Sequence, residues 1–323
     1  MRLLISGGCG FIGTNFVNHI VPYNYEPLYS ACLDKVVVLD ALTYAGNRQN
    51  IAGLDCELEV GDIADAARVS QVVRKHWIDT IIHFAAESHV DRSIVDGSSF
   101  LRTNVQGTLN LLNVARDCSI KKFLHVSTDE VYGSIRQGEA YELSPLAPGN
   151  PYSASKAASD MYVLAYANTY KLPTVITRCC NNYGPYQNKE KFIPLFVTNC
   201  LNSRPLPLYG TGMNEREWIY VDDHCKALWR LLTNDWRPGE IFNIGSGERF
   251  TNRAIAEKIC KLTGKEPRMI TSVPDRKGHD FRYALDSRKL LTNTDWKPTV
   301  TLDDGLARVV NWYDMNRDWW EKK

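Results

Sequence analysis

A short apolar run at the start of the chain, Arg2-Leu3-Leu4-Ile5-Ser6, gives way at once to Gly7-Gly8-Cys9-Gly10-Phe11-Ile12-Gly13, with glycine in the pattern G-x-x-G-x-x-G. The run predicts a buried strand, and the glycines predict a tight turn into a helix that begins at Phe11. Glycine at Gly7, Gly10 and Gly13 permits the turn, lets backbone approach a pyrophosphate, and lets the helix pack closely on the strand. The helix N-terminus meanwhile offers N–H donors to phosphate. The spacing is a variant of the dinucleotide-binding pattern; a turn that serves packing alone is the competing reading.

Apolar runs rich in β-branched residues continue at 35–40, 56–60, 79–84, 121–127 and 173–179. Helical periodicity is expected between them, from Phe11, from Asp65 to Lys75 and from Ser98 to Asp117. Such alternation predicts an α/β chain with a Rossmann-like, doubly wound parallel sheet. Beyond Tyr183, the residues Pro185, Pro194, Pro205 and Pro207 break the chain into short pieces. A smaller C-terminal α/β substrate-binding domain is therefore expected over 181–323, after a cofactor-binding domain over 1–180. A late strand near 239–245 is expected to return to the main sheet.

Composition sets the class of partner. Of 323 residues, 44% are hydrophobic and 23% charged, as in ordinary globular chains, and the net charge is +1. Without clustered Lys and Arg, nucleic acid is not an expected partner. No apolar stretch has bilayer length, so no membrane is expected. The chain opens directly on its first strand with no room for a cleavable leader, and the nine cysteines are scattered. From both features a cytoplasmic setting is expected, with the thiols buried and reduced. No metal site is expected: the cysteines lack ligand spacing, and His83, His89 and His125 read as structural.

Asp40 ends the second strand, where a carboxylate can accept both hydroxyls of an adenosine ribose and would repel the extra phosphate of NADP. NAD is therefore the expected cofactor. Asp40 lies further from the glycines than usual because of an apparent insertion around Val21 to Asp34. Asp62 and Ile63 after the third strand could hold the adenine, and Phe84, Ala85, Ala86 and Ser88 after the fourth could line the middle of the cofactor. All follow the rule that ligands bind at the carboxyl ends of parallel strands.

Tyr152 and Lys156 stand four apart in a stretch of helical composition after Pro151, so both fall on one helix face. A tyrosine with an ordinary pKa of about 10 becomes a base near neutrality only beside positive charge, which the ammonium and a nicotinamide ring would supply. Thr128, Asp129 and Glu130 follow the fifth strand. For both acids to reach one substrate the chain must leave the strand there, since successive strand residues point to opposite faces. Two carboxylates in unlike environments can divide into an acid and a base. An exposed acidic pair is the alternative.

GGCGFIG (7–13), FAAESHVDRS (84–93), VSTDEVYG (126–133), PYSASKA (151–157), NNYGPYQ (181–187), FIP (192–194) and DRKGHDFRYALD (275–286) together resemble the extended short-chain dehydrogenase/reductase superfamily. Within it they resemble the sugar-nucleotide dehydratase branch, the dTDP-glucose 4,6-dehydratases. The resemblance spans nearly the whole chain. It implies an NAD-dependent hydro-lyase that oxidises C4 of a nucleotide-linked glucose, removes water across C5 and C6, and returns hydride to C6. Tyr152, supported by Lys156, would take the C4 hydroxyl proton, and Thr128 would bond the C4 oxygen. Glu130 would remove the C5 proton, and Asp129 would protonate the departing C6 hydroxyl. Thr43, Thr103 and Asn182 would touch NAD along with Phe11 and Ile12. Ser88, Asn181, Lys191, Pro207, Leu208, Tyr209, Arg216, Asn243, Arg276 and His279 would hold the nucleotide sugar. A homodimer is implied through the helices at 98–117 and after Tyr152.

The sequence departs from the family at Glu217, where Asp usually follows the arginine, at Ser246 in place of a second glycine, and at Cys9 and Thr14 in the glycine turn. Rival readings are a UDP-glucose 4,6-dehydratase, a sugar-nucleotide 4-epimerase, which would lack the acidic pair, and a non-catalytic NAD-binding module, which would lack Tyr152 or Lys156.

Overall fold

The computed structural model describes residues 1–21 and 32–321, so most of the insertion expected around Val21 to Asp34 lies outside the described residues. The chain opens with β1 (Arg2–Ser6), α1 (Phe11–Ile20), β2 (Lys35–Asp40), β3 (Glu57–Val60), α2 (Ala66–Lys75), β4 (Thr80–His83) and α3 (Val90–Val95). There follow α4 (Ser98–Phe100), α5 (Thr108–Asp117), β5 (Lys122–Thr128), α6 (Pro151–Tyr170) and β6 (Thr174–Cys179). The first six strands end within one residue of the positions expected from sequence.

Seven strands form one sheet in the order β10-β6-β5-β4-β1-β2-β3, where β10 is Glu240–Ile244, and every pairing is parallel. The late strand thus does return to the sheet, beside β6. Helices cover both faces, which explains why these strands read as continuous apolar runs. In β1, Leu3 and Ile5 enter the core on one face and Leu4 the core on the other, alongside Val36 and Val38 against Val37 and Leu39 in β2. This two-residue alternation buries both faces. Chain order reverses between β1 and β4, opening a crevice at their carboxyl ends.

The remaining elements are β7 (Asn181–Tyr183), α7 (Phe192–Leu201), β8 (Leu206–Tyr209), β9 (Glu215–Tyr220), α8 (Val221–Thr233), β11 (Arg249–Thr251), α9 (Asn252–Leu262), β12 (Ile270–Val273), α10 (Arg288–Asn293), α11 (Leu302–Met315) and α12 (Arg317–Glu321). They form a three-stranded sheet, β11-β9-β7, and a two-stranded one, β12-β8, around a third core with Phe196, Trp218, Ile255 and Leu306 at its centre. Helix α8, however, packs back on α1 beneath the large sheet, with Cys225, Leu228 and Trp229 in the same core as Phe16.

The expected helix over 98–117 keeps its ends, but Leu101–Gly107 is a π-helix. Wider turns of this kind concentrate at functional sites. Here the segment carries Thr103 toward the crevice and buries Asn104, whose side chain accepts from Glu87 N–H at 2.8 Å and donates to Glu87 O and to Ser155 Oγ. The loop after β4 is thereby tied to α6.

Candidate active site

Helix α6 begins where the sequence dictates. Asn150 caps it by accepting from Ser153 N–H, Ser153 Oγ reciprocates, and Pro151 occupies the first turn, where a missing N–H costs nothing. Tyr152 and Lys156 consequently share a face that is buried against the end of β5. The strand ends at Thr128 and the chain turns into a 3₁₀-helix over Asp129–Tyr132, so it leaves the strand where the two acids need it to. Thr128 Oγ1 accepts from Glu130 N–H and donates to Asp129 Oδ1, each at 3.3 Å.

A cavity of about 360 Å³ fills the crevice at the switch point of the sheet. Its walls include Gly7, Gly10, Phe11, Ile12, Gly13, Asp40, Thr43, Asp62, Ile63, Phe84, Ala85, Ala86, Ser88, Thr103, Tyr152 and Lys156. The glycine turn has the close backbone packing that a dinucleotide cradle requires. Gly7 sits at φ +75°, a Cβ there would lie 2.6 Å from Ala85 N, and a Cβ on Gly13 would lie 2.2 Å from Gly7 O. Only bare backbone allows β1, α1 and the β4 loop to close together around the N-terminus of α1. Asp40 is buried; its Oδ2 accepts from Cys9 N–H at 2.9 Å and its Oδ1 from Leu42 N–H at 2.8 Å. The carboxylate thus organises the turn as well as facing the cavity.

A second cavity of about 270 Å³ adjoins the first through Ser88, Gln187, Glu190 and Lys191, which line both. Glu130, Asn181, Lys191, Pro207, Leu208, Tyr209, Arg216, Arg276 and His279 line it. Lys191 Nζ donates to Ser88 O at 2.6 Å. His279 Nδ1 lies 2.6 Å from Asp275 Oδ1. The Arg216 guanidinium already donates to the carbonyls of Glu215, Asp280 and Phe281 and lies over the Tyr283 ring, whereas Arg276 Nε is buried without a protein partner. Arg276 therefore has the freer donor for an anion.

Four expected residues do not line the cavity expected for them. Asn182 lines the second cavity rather than the first, its amide donating to Cys179 Sγ and Cys180 O while its Oδ1 bonds His224. Asn243 lines neither cavity. Its Oδ1 accepts from Tyr132 OH and its Nδ2 donates to Ala140 O and Asp286 O, so no amide atom is left to face a sugar. Thr128 and Asp129 are buried and line neither cavity, so of the two acids only Glu130 reaches one. The sequence reasoning missed Glu87, Arg102, Glu190 and Trp319 at the first cavity and Asp91 and Tyr283 at the second. Tyr283 lies within the segment 275–286, where a signal existed; Trp319 reaches the cavity only through the folding back of α12.

The family departures are accommodated locally. The longer acid Glu217 accepts from Gly247 N–H, Leu285 N–H and Arg249 Nε, and a Cβ on Gly245 would lie 2.1 Å from its Oε1. Ser246 Oγ donates to Trp218 O.

The electrostatics separate the two acids. Burial, then the charge of Glu130, hold the Asp129 carboxyl well above the usual carboxylate range. Burial raises Glu130 also, but Arg276, Arg216 and Lys191 pull against it. Asp129 is thus pushed further toward its protonated form, and Glu130 is the one that faces cations. Burial and Glu130 push the Tyr152 phenol up, with the Thr128 hydroxyl opposing them, while burial lowers Lys156 to about 8 against Asp160. In the protein alone burial thus favours the neutral phenol, and the sequence reading already required the positive nicotinamide ring beside the ammonium to oppose it.

No helix among the described residues is long and apolar enough to cross a membrane. The sequence profile of the GDP-mannose 4,6 dehydratase family matches residues 4–309. A dTDP-glucose 4,6-dehydratase from Streptomyces niveus is 48% identical over 99% of this chain and 95% of its own. The solved structure of DesIV, a dTDP-glucose 4,6-dehydratase from Streptomyces venezuelae with NAD bound, superposes with a TM-score of 0.94 at 50% identity, covering 100% of this chain and 99% of that one. A Thermus thermophilus UDP-glucose 4-epimerase in complex with NAD gives 0.90 at 30% identity, covering 98% and 100%. Fold alone therefore does not separate dehydration from epimerisation.

Proposed function

Because the chain belongs to the GDP-mannose 4,6 dehydratase family, we propose that it is an NAD-dependent hydro-lyase that converts dTDP-glucose to dTDP-4-keto-6-deoxyglucose. The observation that carries this reading is the neighbouring pair Asp129 and Glu130, the first pushed furthest toward its protonated form by burial and the second lining the cavity with Arg276, Arg216 and Lys191, beside Tyr152 and Thr128. When bound, NAD accepts hydride from C4, returns it at C6 and brings a positive ring to the site.

Tyr152 takes the proton of the C4 hydroxyl, with the Lys156 ammonium as the cation this chain supplies from one turn along α6. Thr128 bonds the same oxygen. A ketone at C4 acidifies the C5 proton, which Glu130 removes; Asp129, already protonated, gives its proton to the departing C6 hydroxyl. Gly7, Gly10 and Gly13 hold the pyrophosphate of NAD, Asp40 its ribose, and Asp62 and Ile63 its adenine. Arg276, with Arg216 and Lys191, suits the substrate diphosphate through forked and cationic donors.

The part spanning 1–180 with the returning strand serves the cofactor, and 181–323 the nucleotide sugar. The protein works as a homodimer, supported by Leu101, Met161 and Tyr162, which are exposed on the two helical segments concerned. Its setting is the cytoplasm, where buried free thiols such as Cys9, Cys200 and Cys225 stay reduced.

The test is mass spectrometry of products after separate incubation with dTDP-glucose and UDP-glucose in the presence of NAD. Loss of one water from dTDP-glucose alone is expected. Loss from UDP-glucose alone would keep the chemistry and overturn the nucleotide, and no loss from either would overturn the reading.

A further inference from the structure

We infer that Asp160, a wholly buried carboxylate paired with Arg178, is a positioning residue for the reaction: its charge, one turn along α6 from Lys156, holds the Lys156 ammonium, protonated, against the Val126 carbonyl. Tyr152, Lys156 and Asp160 recur at every fourth position of α6 and so share one face. Asp160 is 0% exposed and Lys156 4% exposed. Lys156 Nζ donates to Val126 O at 2.9 Å, a neutral acceptor, and no carboxylate is in ion-pair contact with it among the described residues. A buried ammonium with only a carbonyl for company tends to lose its proton unless an anion stands near.

The surroundings leave one anion for that task. On its own helix Lys156 has Tyr152 and Asp160. From β4 and β5 come His83 and His125; burial pushes both imidazoles down, His125 to about 4, so they are neutral near pH 7. From the 3₁₀-turn come Asp129, which burial keeps protonated, and Glu130, which faces the arginines of the second cavity. From β6 comes Arg178, whose Nε donates to Asp160 Oδ2 at 2.9 Å and whose NH1 donates to Tyr132 OH at 2.9 Å and Glu142 O at 3.2 Å. Burial works against the Asp160 charge, but hydrogen bonding from His125 and the charge of Arg178 outweigh it and hold the carboxyl below its usual range. Asp160 is therefore a fixed negative charge, held through Oδ2 by Arg178, with His125 Nε2 3.5 Å from its Oδ1.

The test reads the lysine directly. In protein labelled with [13Cε]lysine, with the Lys156 resonance assigned through Lys156→Arg, Asp160→Asn should lower the titration midpoint of Lys156 by at least one pH unit. The alkaline limb of kcat should move down with it, while KM for the nucleotide sugar is unchanged. Since Asp160→Asn leaves Arg178 buried and unpaired, the double variant Asp160→Asn/Arg178→Met is measured alongside; it removes both charges, and its midpoint should stay below that of the native protein. A native midpoint in either folded variant overturns the inference and reveals a packing role. The kinetic arm rests on the proposed dehydration, but the titration does not. Failure of the native protein to dehydrate dTDP-glucose sinks that reading alone; an unmoved midpoint sinks this one alone.

Discussion

Replacing Gly13 with alanine puts the account of the cofactor cradle at risk. The added Cβ would sit 2.2 Å from Gly7 O and 2.8 Å from Gly8 Cα, both backbone atoms of the turn. Neither can rotate away, so α1 or the turn must move by more than an ångström to reach ordinary contact. Overpacking of this kind costs about 1–3 kcal/mol. If the strain is relieved by opening the turn, the same energy appears as a loss of roughly 5- to 150-fold in NAD affinity. Gly10→Ala is the control: its Cβ meets nothing closer than 3.4 Å, and at an N-cap the exchange of glycine for alanine affects stability by about 1 kcal/mol at most. The assay is equilibrium binding of NAD by titration calorimetry, paired with melting curves with and without NAD. Gly13→Ala should lose NAD affinity, melting temperature or both, and Gly10→Ala should melt within a few degrees of the native protein in the absence of NAD. A Gly13→Ala protein with native affinity and native melting would refute the claim that bare backbone at this position shapes the cradle.

Other expectations follow from the acids and the tyrosine. Glu130→Gln should fold and bind NAD but stop exchange of the C5 proton with solvent; undiminished deuterium uptake at C5 would contradict its role as base. Asp129 has a folded pKa above its unfolded value, so its contribution to stability is full below about pH 4 and lost as pH rises toward that folded pKa. Asp129→Asn should therefore melt progressively higher than the native protein as pH rises from 4 to 7, while losing activity. A melting difference independent of pH would refute the burial argument. Tyr152→Phe should slow the first hydride transfer, and normal accumulation of NADH in a single turnover would count against it.

The sequence made the large sheet legible because its central strands are buried on both faces and so carry short continuous apolar runs, whereas the edge strand β3, with Glu57 and Val60 exposed, alternates. The glycine turn was legible because steric demands at Gly7 and Gly13 leave no other residue type suitable. Less local features were hidden. The π-helical stretch at Leu101–Gly107 has the same apolar spacing as an ordinary helix at its ends, and nothing in composition marks the wider turn. Asn182 and Asn243 were expected at the ligands because the motifs around them matched, yet hydrogen bonds to His224 and to Tyr132, distant in sequence, engage their amides. The protonation of Asp129 rests on burial and on Glu130, Cys179 and Glu217, an environment assembled only by the fold.

The measurement that tests the central claim most directly follows one hydrogen. With dTDP-[4-²H]glucose as substrate, the account predicts a 4-keto-6-deoxy product that carries the deuterium at C6. Deuterium retained at C4, in a product that has lost no water, would contradict it and identify an epimerase built on the same fold.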